Sequence, residues 1–181
     1  MPNHCETDFN IYGRRDQVMA VIDAHFTADG TLDCDKVIPY PEQYKELDRI
    51  AEEWKKTYCD ATGWKLKPEY EGQKIERPRD GFNSGGYEWC CNNWGTKWGT
   101  YSGGGIVLVE RENDTLEAQM SFESAWGPPQ PVFDKLAEMY PGLTFRAESF
   151  ECGMQWQLLQ EWKEGAGVTY KEATYDGNRG G

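Results

Sequence analysis

The chain opens on an alternation of period two. Cys5, Thr7, Phe9 and Ile11 are set against Glu6, Asp8 and Asn10, which is the pattern of a half-buried strand, and Gly13 ends it. From Arg14 the spacing becomes helical, with Val18, Val21, Ile22 and Phe26 on one face and Asp29-Gly30 at the close. Val37-Ile38, bracketed by Asp35 and Pro39, is long enough only for an edge strand or an extended link. Pro41 suits a helix start, and Tyr44, Leu47, Ala51, Trp54 and Tyr58 recur at steps of three and four. These predict an amphipathic helix over about 41–60 with Glu and Lys outside.

Residues 60–86 lose all periodicity and mix Pro, Gly and charge, so they predict an irregular insertion with a short strand at 64–66. Loops of this length inside compact domains are usually functional or disordered. Beyond them, residues 106–109 form a bare β-branched run and Asn113-Asp114 supplies a turn. Leu116, Ala118, Met120, Phe122 and Trp126 then alternate with Glu117, Gln119, Ser121 and Glu123, which predicts an antiparallel hairpin with one buried face. Gly127-Pro128-Pro129 stops it. Val132, Phe133, Leu136, Ala137 and Tyr140 mark a second core-facing helix ending at Pro141-Gly142, and Leu143, Phe145 and Ala147 begin another strand. The stretch 154–175 reads as a closing hairpin around Gly165-Ala166-Gly167, with Trp156, Leu158, Trp162, Val168 and Tyr170 as candidate buried positions.

With the extra helix and the insertion set aside, the order is βαββαβ, the split βαβ arrangement in which helices cover one face of an antiparallel sheet. The expectation is an α+β chain forming a single domain over residues 1–181, with an irregular insertion at about 60–86 and a C-terminal β-hairpin. One face of the sheet is left for solvent, a partner or a ligand.

Composition narrows the partners. A chain of 181 residues can bury about two thirds of its unfolded surface, so one core suffices. Its formal net charge of −12 repels phosphate backbones, which disfavours direct nucleic-acid binding. The six cysteines, Cys5, Cys34, Cys59, Cys90, Cys91 and Cys152, follow an N-terminus with no basic segment and no apolar signal run. The expected setting is therefore the cytoplasm, with free thiols that pack as small hydrophobes. No apolar stretch approaches the length of a membrane span, so no membrane partner is expected.

Four motifs carry a family resemblance: Met1-Pro2-Asn3-His4-Cys5 opening a strand, Ile38-Pro39-Tyr40-Pro41 before a helix, Asn93-Trp94-Gly95-Thr96-Lys97-Trp98, and Ser124-Ala125-Trp126-Gly127-Pro128-Pro129 before a helix. In this order they resemble the YubB ferredoxin-like family, small proteins of plasmids and bacteriophages. The resemblance implies a ferredoxin-like fold, meaning the shape and not an iron–sulfur cluster, and a mobile-element origin. It implies no established reaction.

Candidate chemistry is sparse. His4, Cys5, Cys90, Cys91 and Cys152 could converge on a metal, but no C-x₂₋₄-C pair announces a zinc site, and adjacent Cys90-Cys91 on a helix point in different directions. Neither a metal nor a cofactor is expected. A nucleophilic enzyme would need His4 or His25 as base, and His25 beside a core face reads as a partly buried, hydrogen-bonded histidine. No catalytic residues are assigned. Gly103-Gly104-Gly105 lacks the Lys-Ser/Thr of a phosphate loop and precedes a strand, so it reads as a turn.

The aromatic stretch 89–98 remains. Its structural reading is apolar burial around a tight turn at Gly95. Its functional reading makes Trp94, Lys97, Trp98, Asn93 and Trp126 a ligand- or partner-binding group, in which an indole stacks a flat ring and the ammonium meets a phosphate. The leading expectation is a non-enzymatic accessory protein of a phage or plasmid acting by binding, a counter-defence inhibitor. It would either capture a host protein through an acidic, DNA-mimicking surface or sequester a small nucleotide messenger. The alternative is a small hydrolase acting on a signalling nucleotide through carboxylates.

Overall fold

The computed structural model describes residues 3–174; Met1 and Pro2 of the opening motif, and Tyr175 at the end of the expected hairpin, lie outside the described residues. The chain divides into two compact units, one made of Met1–Pro39 with Cys90–Gly181 and the other of Tyr40–Trp89.

The first unit carries β1 (His4–Arg14), α1 (Arg15–His25) and α2 (Cys34–Val37). The second holds α3 (Glu42–Tyr58), and α4 (Gly86–Asn93) takes the chain across the boundary. The first unit resumes with β2 (Ile106–Arg111), β3 (Thr115–Ala125), α5 (Gln130–Met139), β4 (Thr144–Glu151), β5 (Trp156–Lys163) and β6 (Ala166–Thr174). These strands form one antiparallel sheet in the order β2-β3-β1-β4-β5-β6. Its first four strands are the split βαβ order, and the closing hairpin extends the β4 edge.

The period-two pattern does what it predicts. Cys5, Thr7, Phe9 and Ile11 of β1 are buried, as are Leu116, Ala118, Met120 and Phe122 of β3 and Phe145 and Ala147 of β4. Val18, Val21 and Ile22 of α1 and Val132, Phe133, Leu136 and Ala137 of α5 bring the apolar helix faces into the same core. Phe9 is its centre, stacked on Phe133 at 4.8 Å between ring centroids and within 6.1 Å of Phe26, Phe122 and Phe145.

Four expectations for the first unit are corrected. Helix α1 stops at His25, because Phe26 turns extended and bridges Leu32 around a Thr27–Thr31 turn. Val37 closes a short helix and Ile38 follows it, where a strand or link was expected: the Asp33 carboxylate caps the Asp35 amide at 3.2 Å and supplies a helix-start partner. Trp126 leaves the buried face of its hairpin altogether; its backbone enters the left-handed region at φ +71° and its side chain is 45% exposed. Val168 and Tyr170 are exposed, since β6 is the edge strand, three places from the Phe9 core, whereas Leu158 and Trp162 of β5 are buried as expected.

In the second unit, α3 has the predicted amphipathic face. Its outer face carries an Arg49 guanidinium shared by Glu46 and Glu53. Residues 60–86 fold back onto α3. The Asp48 carboxylate accepts the Gly81 and Phe82 amides at 2.8 and 3.1 Å, and Tyr70 meets Tyr58 edge-on at 5.1 Å. The strand expected at 64–66 is reduced to a single bridge between Leu66 and Cys59. No helix among the described residues is long and apolar enough to cross a membrane.

Candidate functional site

After α4 the chain turns at Gly95, where φ is +78°. Two anchors hold the turn and the residues just beyond it. The Trp94 indole N–H donates to the Ile38 carbonyl at 2.8 Å, and the Thr96 hydroxyl both donates to the Ala125 carbonyl at 2.9 Å and accepts the Ala125 amide at 3.1 Å. Lys97 and Trp98 are thereby held at the end of β3, where Trp126 emerges. The Lys97 ammonium lies 4.9 Å from the Trp98 ring centroid and 5.3 Å from that of Trp126. An ammonium over an indole gains about 0.5–1 kcal/mol when exposed and more when desolvated.

The chain then runs beside β3 as an irregular extension of β2. Tyr101 and Glu123 exchange both backbone hydrogen bonds, at 2.9 and 2.8 Å, and Gly104 donates to Ser121 at 2.9 Å. A side chain at Gly104 would collide with the Ser121 hydroxyl. This register puts Tyr101 on the sheet face opposite the helices. There its hydroxyl is 2.9 Å from His4 Nδ1, which in turn lies 3.0 Å from Glu123 Oε2. Burial, and next the Glu123 carboxylate, push the Tyr101 phenol above its usual range.

The same face continues as a polar basin of about 430 Å³. Register places Asp8 between Ser121 and Glu148, and Asn10 between Gln119 and Arg146. One step nearer the aromatic end, Glu6 stands between Glu123 and Phe150. Two like-charged pairs are therefore directly opposed across neighbouring strands, Glu6 with Glu123 and Asp8 with Glu148.

Of the five residues marked by sequence, Lys97, Trp98 and Trp126 come together. Trp94 goes into the core at 7% exposure with its N–H bonded, and Asn93 is the half-buried last residue of α4. His4, Tyr101, Glu123 and the basin residues were missed as a site. The polar alternates of β1 and β3 were visible, but which side chains they meet depends on strands more than a hundred residues apart.

Burial pushes the Cys5 and Cys34 thiols up to about 12, which removes the thiolate a nucleophile needs. His25 is enclosed against the Tyr140 hydroxyl, 2.9 Å from Nε2, away from the open face. Among the described residues no group of three or more His, Cys, Asp or Glu side chains is placed to hold a metal ion.

Residues 107–176 match the family model described as the ferredoxin-like domain in Api92-like protein. Protein Api92 from Yersinia pseudotuberculosis, known from a crystal structure, is similar over 96% of this chain and 98% of its own, with a TM-score of 0.53 and 12% sequence identity. At that identity the likeness is one of fold. No curated protein matches the chain.

Proposed function

We propose that the protein is a non-catalytic accessory factor of a plasmid or bacteriophage that captures a basic host protein and so counters a host defence. The mobile-element setting rests on the YubB-like motifs. The mode of action rests on one observation: the open face sets Glu6 against Glu123 and Asp8 against Glu148.

Like charges directly opposed across strands cost a sheet roughly 0.2–1 kcal/mol per pair. Other groups of the face meet some of these carboxylates. His4 reaches Glu123 at 3.0 Å, Arg146 stands 4.0 Å from Glu148, and the Gln157 amide donates to Glu148 at 2.8 Å. A cationic partner surface converts that repulsion into attraction on binding. Residues two apart on a strand stand about 6.8 Å apart, so Glu6 and Asp8 form a spaced charge ladder of the kind a nucleic-acid groove accepts. Trp126 and Trp98 at the end of the face supply aromatic anchors, the residue type that dominates binding energy at interfaces. The same carboxylates repel phosphate, which favours protein capture over nucleotide capture on this surface.

Affinity capture from bacterial lysate tests the reading, using the wild type and a Glu6→Gln/Glu123→Gln double variant. A partner held by the wild type, released at about 1 M salt where the Debye length falls to about 3 Å, and lost from the variant is the expected outcome. No partner held by the wild type, or a partner held equally by the double variant, overturns it.

A further inference from the structure

The second unit holds a cavity of about 570 Å³ at the end of α3 whose charge runs against that of the chain. Lys55, Lys56, Lys67 and Arg77 line it, against the carboxylates of Glu52 and Asp60. Glu52 is paired with Lys55 at 3.4 Å, and the Asp60 carboxylate accepts the Thr62 amide and hydroxyl at 3.0 and 2.5 Å. Lys56, Lys67 and Arg77 make no ion pair with a carboxylate among the described residues. In a chain with 31 acidic and 19 basic side chains, three cations without acidic partners around one cavity are a local inversion of the field.

Each has a defined posture. The Lys67 ammonium donates to the Lys56 and Thr57 carbonyls at 3.0 and 2.7 Å, which offsets the negative end of the α3 dipole and leaves its third N–H for another acceptor. The Arg77 guanidinium lies 6.0 Å from the Trp54 ring centroid, at the limit of a cation–π contact. Lys56 is exposed at the rim. Beside them Trp64 stands 80% exposed, a large apolar ring left in water at the mouth of a cationic cavity.

We infer that this cavity binds a nucleoside phosphate, with the base stacked on Trp64 and the phosphates among Lys56, Lys67 and Arg77. A stacking ring beside an ammonium and a guanidinium is the pairing that a flat base carrying phosphate satisfies, and inorganic phosphate alone would leave the indole unused. The net charge of −12 does not forbid it, because at physiological salt a charge is screened beyond about 8 Å and the cations lining the cavity outnumber its two carboxylates, Glu52 and Asp60. The proposal concerns residues remote in sequence from the open sheet face, so it stands or falls separately from the capture of a basic protein.

Calorimetric titration of the full chain with ATP, tripolyphosphate and adenosine tests it, alongside Trp64→Ala and Lys56→Glu. Both substituted side chains are exposed, and unchanged melting temperatures confirm that the variants fold. ATP is expected to saturate below about 1 mM, with either variant weakening it roughly tenfold and either half of the ligand binding more weakly than the whole. A short single-stranded oligonucleotide bearing a 5′ phosphate separates the sources of this chemistry: preference for ATP supports a free nucleotide. No saturation by ATP, equal binding of tripolyphosphate, equal or tighter binding of the oligonucleotide, or ATP affinity unchanged in both variants overturns the proposal.

Discussion

The covered and open faces of the sheet are made of alternate residues on the same strands, and charge is treated oppositely on each. On the covered face Phe9 is fully buried among four aromatic rings, and its neighbours along β1 on that face are Thr7 and Ile11, both buried. On the open face the intervening residues Glu6 and Asp8 oppose carboxylates in β3 and β4. The first arrangement lowers the free energy of the isolated chain. The second is expected to raise it, a cost that the proposed basic partner would offset on binding.

The largest effect belongs to the covered face. Phe9→Ala is expected to destabilise the first unit by about 3–5 kcal/mol, since the cavity would sit between strands and helices that cannot collapse around it. Chemical denaturation measures this, and a loss below about 1 kcal/mol would show that Phe9 is not the centre of the core.

Next comes the response of that face to acid. His25 is 5% exposed, with Nε2 bonded to Tyr140. Burial holds its pKa below the ordinary value of 6.5; the Lys36 charge acts the same way, while Asp33 and a Lys36 backbone hydrogen bond oppose. The unfolded chain therefore takes up the proton first. Stability is present in full above about pH 6.5 and falls as pH drops from there through the folded value. Melting temperature is expected to fall between about pH 7.5 and 5.5, and to fall less in His25→Gln, which keeps a hydrogen-bonding group for Tyr140. An equal fall in both proteins would assign the effect to other groups.

Sequence patterning revealed the covered face and hid much of what lies at its margins. The alternation in β1 and β3 and the apolar faces of α1, α3 and α5 are local signals, and the hairpin turn sits at Asn113 and Asp114 with φ of +58° and +57° as its residue types favour. Periodicity does not say where a strand ends. Trp126 continued the β3 alternation, yet the Thr96 hydroxyl closes the strand at Ala125 and the next residue turns outward. Nor does it distinguish an edge strand from a central one, which is why Tyr170 is 69% exposed. Lys97 and Trp98 could be marked because indoles and a lysine crowd one motif. Tyr101 and Glu123 could not, because they reach His4 only across 97 and 119 positions of chain.

The smallest effect is the most discriminating, because its sign is opposite to that of an ordinary loss of a contact. Glu6 is exposed and directly opposes Glu123 and Phe150. Glu6→Gln should therefore stabilise the free protein, by roughly 0.2–1 kcal/mol at low ionic strength. Glu117 provides the contrast on the same face. It is joined to Arg111 at 2.5 Å and accepts the Gln119 amide at 2.8 Å, and those hydrogen bonds hold its carboxyl below the usual range. Glu117→Gln should weaken the fold by up to about 1 kcal/mol, as expected for a partly exposed ion pair. Denaturation of both variants at low and high salt reads the comparison, and both differences should shrink as the Debye length falls. If Glu6→Gln destabilises at low salt, the carboxylates of the open face are already balanced within the chain, and the case for a basic partner loses its support.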